Sequence, residues 1–274
     1  MKIFLIALAA VVSFFLLSFF VFLFLIKPNR KREGMAKYLN IRYAHRGLHD
    51  DVRAENSLSA FAAAVERGYA IELDVRLSSD GELVVFHDDT LDRVTGERGR
   101  VDSRTAAELS KIRLNGTEDT IPTLSEVLSL VDGRVPLLVE IKEEVGKYGV
   151  SEKTVEVLSQ YGGDFIIESF NPLALSLIRK RMPNVLRGVL SEAFMKNEKT
   201  RKPIYFISQC LLFNFLCRPD FIAFNHRDAK SGSLRLARSV FGAPTLAWTV
   251  KSAEDEKNAR ERGFDTVIFE NYLP

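Results

Sequence analysis

Eight short apolar runs alternate with helix-patterned stretches through most of this chain. They are 41–45 (IRYAH), 70–75 (AIELDV), 137–141 (LLVEI), 165–169 (FIIES), 186–190 (LRGVL), 221–224 (FIAF), 245–250 (TLAWTV) and 266–269 (TVIF). Between them lie amphipathic helical patterns at 57–68, 124–131, 150–161, 172–182, 231–241 and 253–263. Gly68 closes the first, and Pro172 and Pro183 bracket the fourth. Strand–helix alternation predicts a parallel sheet, and eight strands are the number that closes a (β/α)8 TIM barrel. An open doubly wound sheet is the competing fold, disfavoured because no glycine-rich strand-to-helix turn is present. The extra run ELVVFH (82–87) reads as the return arm of a hairpin after the second strand. Asp80-Gly81 is the turn, and equal arms bring His87 back to the level of Asp74.

The first residues follow different rules. From Ile3 to Ile26 the chain is apolar except for Ser13 and Ser18. As a helix it would be about 36 Å long, enough to span a hydrocarbon core of roughly 30 Å with some tilt. The run ends in FVFLFLIKP without a small-residue cleavage pattern, so an uncleaved transmembrane anchor is expected over 1–26. A basic linker is expected over 27–40 and the barrel domain over 41–274. Lys27, Arg30, Lys31 and Arg32 follow the span while only Lys2 precedes it, which places the barrel on the cytoplasmic side. The net charge of +2 gives no surplus for nucleic acid, so nucleic acid is not expected as a partner. Cys210 and Cys217 read as reduced, packed thiols.

Polar chemistry gathers at predicted strand ends, where barrels of this type carry their active sites. Glu72 and Asp74 are two apart and so share a face of the second strand, as do Glu140 and Lys142 of the next. Carboxylates converging there repel unless a cation lies between them, and all-oxygen ligation favours Ca²⁺ or Mg²⁺ over zinc. The alternative is that the acids pair with Arg46 and Lys142 alone. His45 follows the first strand and His87 returns with the hairpin. Two imidazoles flanking a phosphodiester suit acid–base cleavage, one taking a proton from the attacking hydroxyl and the other giving one to the leaving alkoxide. Arg46 offers a planar fork to phosphate, Lys142 a point charge. Gly47 is expected at a sharp turn or a close backbone approach.

In their order, H-R-G (45–47), A-E-N (54–56), E-L-D (72–74), V-V-F-H-D (84–88), V-E-I-K (139–142) and A-W-T-V (247–250) resemble the glycerophosphodiester phosphodiesterase family, from Arg42 to the C-terminus. The resemblance implies metal-dependent hydrolysis of glycerophosphodiesters to sn-glycerol 3-phosphate and an alcohol, through a cyclic phosphate made by the glycerol 2-hydroxyl. It casts His45 as general base, His87 as general acid and Glu72, Asp74 and Glu140 as metal ligands. Glu55 would be a fourth ligand or, with Asn56, a support behind the ligands. Trp248, the single tryptophan, would pack on the glycerol carbons unless it is a core aromatic. The chain departs from the family pattern at Ala54, where proline is usual, and this is expected to loosen the loop carrying Glu55. It departs again at Phe269-Glu270-Asn271, where Thr-Asp is usual: either Glu270 replaces that acid or the site is reshaped there.

Other readings remain open at this level. The anchor admits cleavage of membrane lysolipids, in the manner of a lysophospholipase D, with membrane lipids as partners. An inactive module that binds phosphodiester headgroups would look similar but need not retain both histidines. Residues 204–216 (IYFISQCLLFNFL) read either as a helix buried against the barrel or as an interfacial helix dipping into lipid beside the anchor. Basic Lys196, Lys199, Arg201 and Lys202 precede it. His49 and His226 read as surface loop residues.

Overall fold

The computed structural model describes residues 1–29, 34–144, 146 and 149–274. Its strands are β1 (Tyr43–His45), β2 (Ala70–Leu77), β3 (Leu83–Val85), β4 (Leu137–Ile141), β5 (Phe165–Ser169), β6 (Arg187–Ser191), β7 (Phe221–Asn225), β8 (Thr245–Val250) and β9 (Thr266–Phe269). All but β3 are parallel, and β1 pairs with both β9 and β2, closing an eight-stranded barrel. β3 lies outside the ring, antiparallel to β2, with Val75 opposite Val85 and Leu77 opposite Leu83. The TIM barrel and its hairpin excursion are therefore as the sequence pattern predicts.

Alternation along the strands divides the core in two. Ile71, Leu73, Val75, Val139 and Ile167 face outward and pack with helix residues such as Phe61, Val127 and Leu175. Tyr43, Ala70, Leu138, Ile166, Phe221, Leu246 and Ile268 face inward and fill the barrel. Gly188 keeps that interior closed, since a Cβ there would lie 2.0 Å from the Phe221 ring. The helices start on local caps: Ser57 accepts from the Ala60 N–H, and Thr123 and Glu126 form a reciprocal box.

Two regions go beyond the sequence reading. The hairpin opens an excursion that returns only at Pro122, and it carries its own apolar cluster of Phe86, Leu91, Val94, Val101, Leu109 and Ile121. The stretch read as linker contains the helix Ala36–Leu39. Met35 and Tyr38 there are 2% and 5% exposed and close the barrel from the N-terminal ends of its strands.

The helix Lys2–Ile26 is long and apolar enough to cross a membrane and is exposed as far as Val21. Its last turn is docked on the barrel. The carbonyls that an α-helix leaves unpaired at its C-terminus are capped from the segment before β7. Asn214 Nδ2 donates to Ile26 O (2.9 Å), and Arg218 Nη1 donates to Phe24 O (3.1 Å) and Lys27 O (2.9 Å). The Arg218 guanidinium also lies 4.7 Å from the Phe24 ring centre. Arg30, Lys31 and Arg32 of the basic flank lie outside the described residues.

The apolar 204–216 run is neither of the single helices expected. It folds as Pro203–Gln209 and Asn214–Cys217, broken around Leu211 with φ +59°. The break lets Leu211, Asn214 and Cys217 turn inward while Ile204 and Phe206 stay half exposed. Both cysteines are free, and burial pushes the Cys217 thiol up to about 12. His226 corrects the surface reading: it is 3% exposed, in the turn immediately after β7, and burial lowers its pKa.

Candidate active site

The inward face changes character one register step above the apolar filling. Tyr43 is followed by His45, Ala70 by Glu72 and then Asp74, Leu138 by Glu140, Ile166 by Glu168, Leu246 by Trp248, and Ile268 by Glu270. Parallel register sets His45 beside Glu72, Asp74 beside Glu140 and Glu140 beside Glu168. A cavity of about 100 Å³ at this end is lined by His45, Arg46, Glu72, His87, Glu140 and Lys142, with Glu168, Phe170 and Trp248 on its other wall.

Glu72, Asp74 and Glu140 are all buried, with carboxylate oxygens within 4.8 Å of one another. Two cations meet them. Lys142 Nζ is 2.7 Å from Glu140 and 3.1 Å from Asp74, and Arg46 Nε is 3.4 Å from Asp74. Asn56 Nδ2 donates to Asp74 (2.8 Å) and the Arg46 N–H donates to Glu72 (2.9 Å). Asp74 Oδ1 and Glu140 Oε1 share the one Lys142 ammonium and have no other partner among the described residues. Burial, then repulsion from Asp74 and Glu140, pushes the Glu72 carboxyl well above its usual range. Burial and Asp74 raise Glu140 to about 7 against the pull of Lys142. Burial acts the same way on Asp74, but Lys142, Arg46 and His87 outweigh it and hold that group well below. Three acids sharing two cations, and the mutual repulsion within an all-oxygen set, fit a hard divalent cation.

Each histidine is held by its own acid. His45 Nδ1 lies 2.7 Å from Glu270 Oε2, which leaves Nε2 toward Glu72 at 4.0 Å. His87 Nδ1 lies 2.5 Å from Asp88 Oδ1. Burial lowers the pKa of both rings, that of His87 to about 4, although the neighbouring carboxylates oppose it. Glu270 thus stands as the acid that holds the His45 ring. His45, His49 and Glu270 also fall within ligating distance of one another, but the His45–Glu270 hydrogen bond already uses that pair.

Glu55 is turned away from the three acids. It accepts from Arg46 Nη1 (2.7 Å) and from both terminal nitrogens of Arg93 (2.7 and 2.9 Å), and Arg93 Nε also reaches Asp88 (2.6 Å). A network missed in the sequence thereby connects Arg46 to the His87 partner. Ala54 ties the Glu55 loop in a way that proline could not: its N–H donates to Asp119 Oδ2 (2.9 Å). Gly47 has φ +83°, and a Cβ there would lie 2.9 Å from Ala60, so turn and close approach both apply. Arg46 and Asn56 likewise have positive φ, +57° and +58°.

Trp248 lines the cavity, and its buried Nε1 has no partner. Glu168 was not singled out from sequence. It is 1% exposed, Oε2 has no partner, and burial together with Glu140 and Glu72 raises its pKa well above normal.

The model of the glycerophosphoryl diester phosphodiesterase family matches residues 45–272. The chain belongs to that family. A glycerophosphodiester phosphodiesterase of Caldanaerobacter subterraneus is 32% identical, over 82% of this chain and 91% of that protein. One from Bacillus subtilis is 26% identical over 96% of this chain and 94% of its own length. Among solved structures, an Oleispira antarctica phosphodiesterase in complex with the product sn-glycerol-3-phosphate superposes with a TM-score of 0.69. It is 25% identical, over 85% of this chain and 94% of that one. The Thermotoga maritima glycerophosphodiester phosphodiesterase gives 0.65 at 27% identity, over 84% and 93%. As a family member the chain is a phosphoric diester hydrolase.

Proposed function

We propose that this protein hydrolyses glycerophosphodiesters to sn-glycerol 3-phosphate and an alcohol, with Glu72, Asp74 and Glu140 holding one divalent cation, Ca²⁺ or Mg²⁺. The carrying observation is the cluster of three buried acids whose carboxylate oxygens lie within 4.8 Å of one another and which share only two cationic neighbours. A bound cation would supply Lewis-acid polarisation of a phosphoryl oxygen. Arg46 binds a second phosphate oxygen, its guanidinium aimed by Glu55 and Asp74. Lys142 neutralises charge that grows on phosphorus oxygens in the transition state.

His45 is the general base. Glu270 fixes its Nδ1 as the protonated nitrogen, so Nε2 can accept the proton of the glycerol 2-hydroxyl. The hydroxyl oxygen bonds to phosphorus, and the bond to the alcohol oxygen breaks. His87 gives that oxygen a proton, with Asp88 orienting its ring. A phosphate anion beside His87 raises the pKa that burial has lowered. Water then opens the cyclic phosphate by the reverse proton transfers. Trp248 packs on the glycerol carbons. Support for the substrate class comes from the Oleispira enzyme, whose complex contains sn-glycerol-3-phosphate.

The helix Lys2–Ile26 serves as a single-pass membrane anchor with the barrel on the cytoplasmic side, on the strength of its length, its exposure and the positive residues that follow it. The testing experiment is alcohol release from glycerophosphocholine and glycerophosphoethanolamine with Ca²⁺, Mg²⁺ or chelator in parallel. Cation-dependent release that chelator abolishes is expected. Undiminished release in chelator contradicts the cation site, and no release from either diester contradicts the substrate class.

A further inference from the structure

Five side chains form an unbroken run of hydrogen bonds from Arg46 to the imidazole of His87. Arg46 Nη1 donates to Glu55 Oε1 (2.7 Å). Arg93 grips both oxygens of that carboxylate, Nη2 on Oε1 (2.7 Å) and Nη1 on Oε2 (2.9 Å). Its Nε donates to Asp88 Oδ2 (2.6 Å), and Asp88 Oδ1 holds His87 Nδ1 (2.5 Å). The ends of the run belong to different parts of the molecule. Arg46 directly follows β1, whereas His87, Asp88 and Arg93 lie on the excursion that follows β3. Arg93 stands on the short helix Asp92–Thr95, which Leu91 and Val94 fix in the excursion's own apolar cluster. The His87 backbone is tied to β2, since Arg76 Nε donates to His87 O (2.9 Å), while its ring is held through Asp88.

Stability alone does not account for this arrangement. The Arg93 side chain is 48% exposed, and ion pairs so open to water add little to folding. A guanidinium spanning two carboxylates supplies fixed geometry instead, because its planar fork sets the angle of each partner as well as the distance. A phosphodiester must meet Arg46 and His87 at one spacing if its leaving oxygen is to be protonated. A displacement of about 1 Å in such a spacing can cost ~10²-fold in rate. We propose that Arg93 is a positioning residue that holds the His87 imidazole at a fixed spacing from the Arg46 guanidinium, tying the excursion to the barrel through Glu55 and Asp88. The inference rests on the hydrolase reading above and deepens it at the same site. Without Arg93, Arg46 keeps Glu55 and Asp74 as partners, so the phosphate contact survives and the proton donor is what loses its place.

The test compares two substrates of the full-length chain. Glycerophosphocholine loses an alkoxide that needs a proton, whereas the 4-nitrophenyl diester of sn-glycerol 3-phosphate loses a phenolate that departs without one. The readout is kcat/KM, which reports the step in which the leaving group departs. Arg93→Ala should lower it ~10–100-fold for glycerophosphocholine and less than about threefold for the nitrophenyl diester. Its thermal unfolding should stay close to that of wild type. His87→Ala should show the same split at full size. Arg93→Lys keeps the charge without the fork and should retain most of the defect, while millimolar guanidinium, but not sodium chloride of equal ionic strength, should restore Arg93→Ala toward glycerophosphocholine. Equal losses toward the two diesters, a loss that follows unfolding, or full activity in Arg93→Lys overturns the positioning role. Wild-type turnover with unchanged Arg93→Ala kinetics overturns this inference alone. No turnover of either diester by the wild-type chain counts against the hydrolase reading and removes the inference with it.

Discussion

The two ends of the barrel both bury charge, but they treat it in opposite ways. At the N-terminal ends of the strands, Arg187 and Asp220 are 3% and 2% exposed. Asp220 accepts from Asn29 Nδ2 (2.7 Å) and the Arg187 N–H (3.1 Å), while Arg187 donates to Cys217 O and Arg218 O. Nearby Asp265 takes both the N–H and the hydroxyl of Thr245. At the C-terminal ends, four acids, Glu72, Asp74, Glu140 and Glu168, face two cations, and Glu168 Oε2 has no partner. Unpaired buried charge is costly, so a fold keeps it only where something else is to be bound. Satisfied polar groups mark the end that holds the molecule together, and acids in excess of their cations mark the end that works.

The contrast is broken if substitutions at the working end act like those at the supporting end. The largest effect is expected from His45→Ala and His87→Ala. Each should cut kcat for glycerophosphocholine by ~10²–10⁴-fold, with thermal unfolding unchanged, as read by steady-state assay and calorimetry. Loss of activity that merely follows loss of folded protein would contradict the catalytic roles. Next comes Asp220→Ala, which leaves Arg187 buried and unpaired. It should cost ~3–5 kcal/mol of stability in a denaturant titration, with kcat little changed below its melting temperature. A variant as stable as wild type would remove the support role assigned to that end.

Glu168→Gln sharpens the comparison with the smallest effect. Its Oε2 faces the cavity without a partner, so in the proposed complex it forms one hydrogen bond to a glycerol oxygen. Weakening such a bond, worth ~0.5–1.5 kcal/mol, should raise KM by a few-fold. Removing an acid that Glu140 and Glu72 repel should also stabilise the cation-free protein. A variant that is both less stable and equally active would place Glu168 with the supporting residues instead.

These two ends were not equally legible in the sequence. The barrel, the β2–β3 hairpin and the convergence of Glu72, Asp74 and Glu140 follow from period-two alternation and strand-end position. Glu168 obeyed the same rule: FIIES places an acid at the register of Glu140 in LLVEI. Reading strands singly, without aligning their inward positions, hid it. The Arg93 network was out of reach because it joins residues 38 apart across a loop, where no periodicity operates. The plug of Met35 and Tyr38 was hidden by its basic neighbours, which made the tract resemble a solvated spacer. His226 was misjudged because burial at a strand end depends on what folds over it. For 204–216, composition showed an apolar segment but not the left-handed break at Leu211 that divides it.

The central claim is that the working end is incomplete without one divalent cation. In the cation-free chain Glu140 is held up at about 7, above an unfolded carboxyl of roughly 4.3. The folded state therefore binds a proton that the unfolded chain has released, and this contribution to stability is full below pH ~4.3 and lost as pH rises through about 7. A cation must displace that proton, so its affinity should grow over the same rise. Isothermal titration of the chelator-treated protein with Ca²⁺ and Mg²⁺ between pH 6 and pH 8, in buffers of different ionisation enthalpy, measures this directly. The account predicts one ion per chain, bound more tightly at the higher pH with proton release at the lower, and abolished by Glu72→Gln,Asp74→Asn. Absence of saturable binding by the wild-type chain, or equal affinity in the double variant, would contradict it.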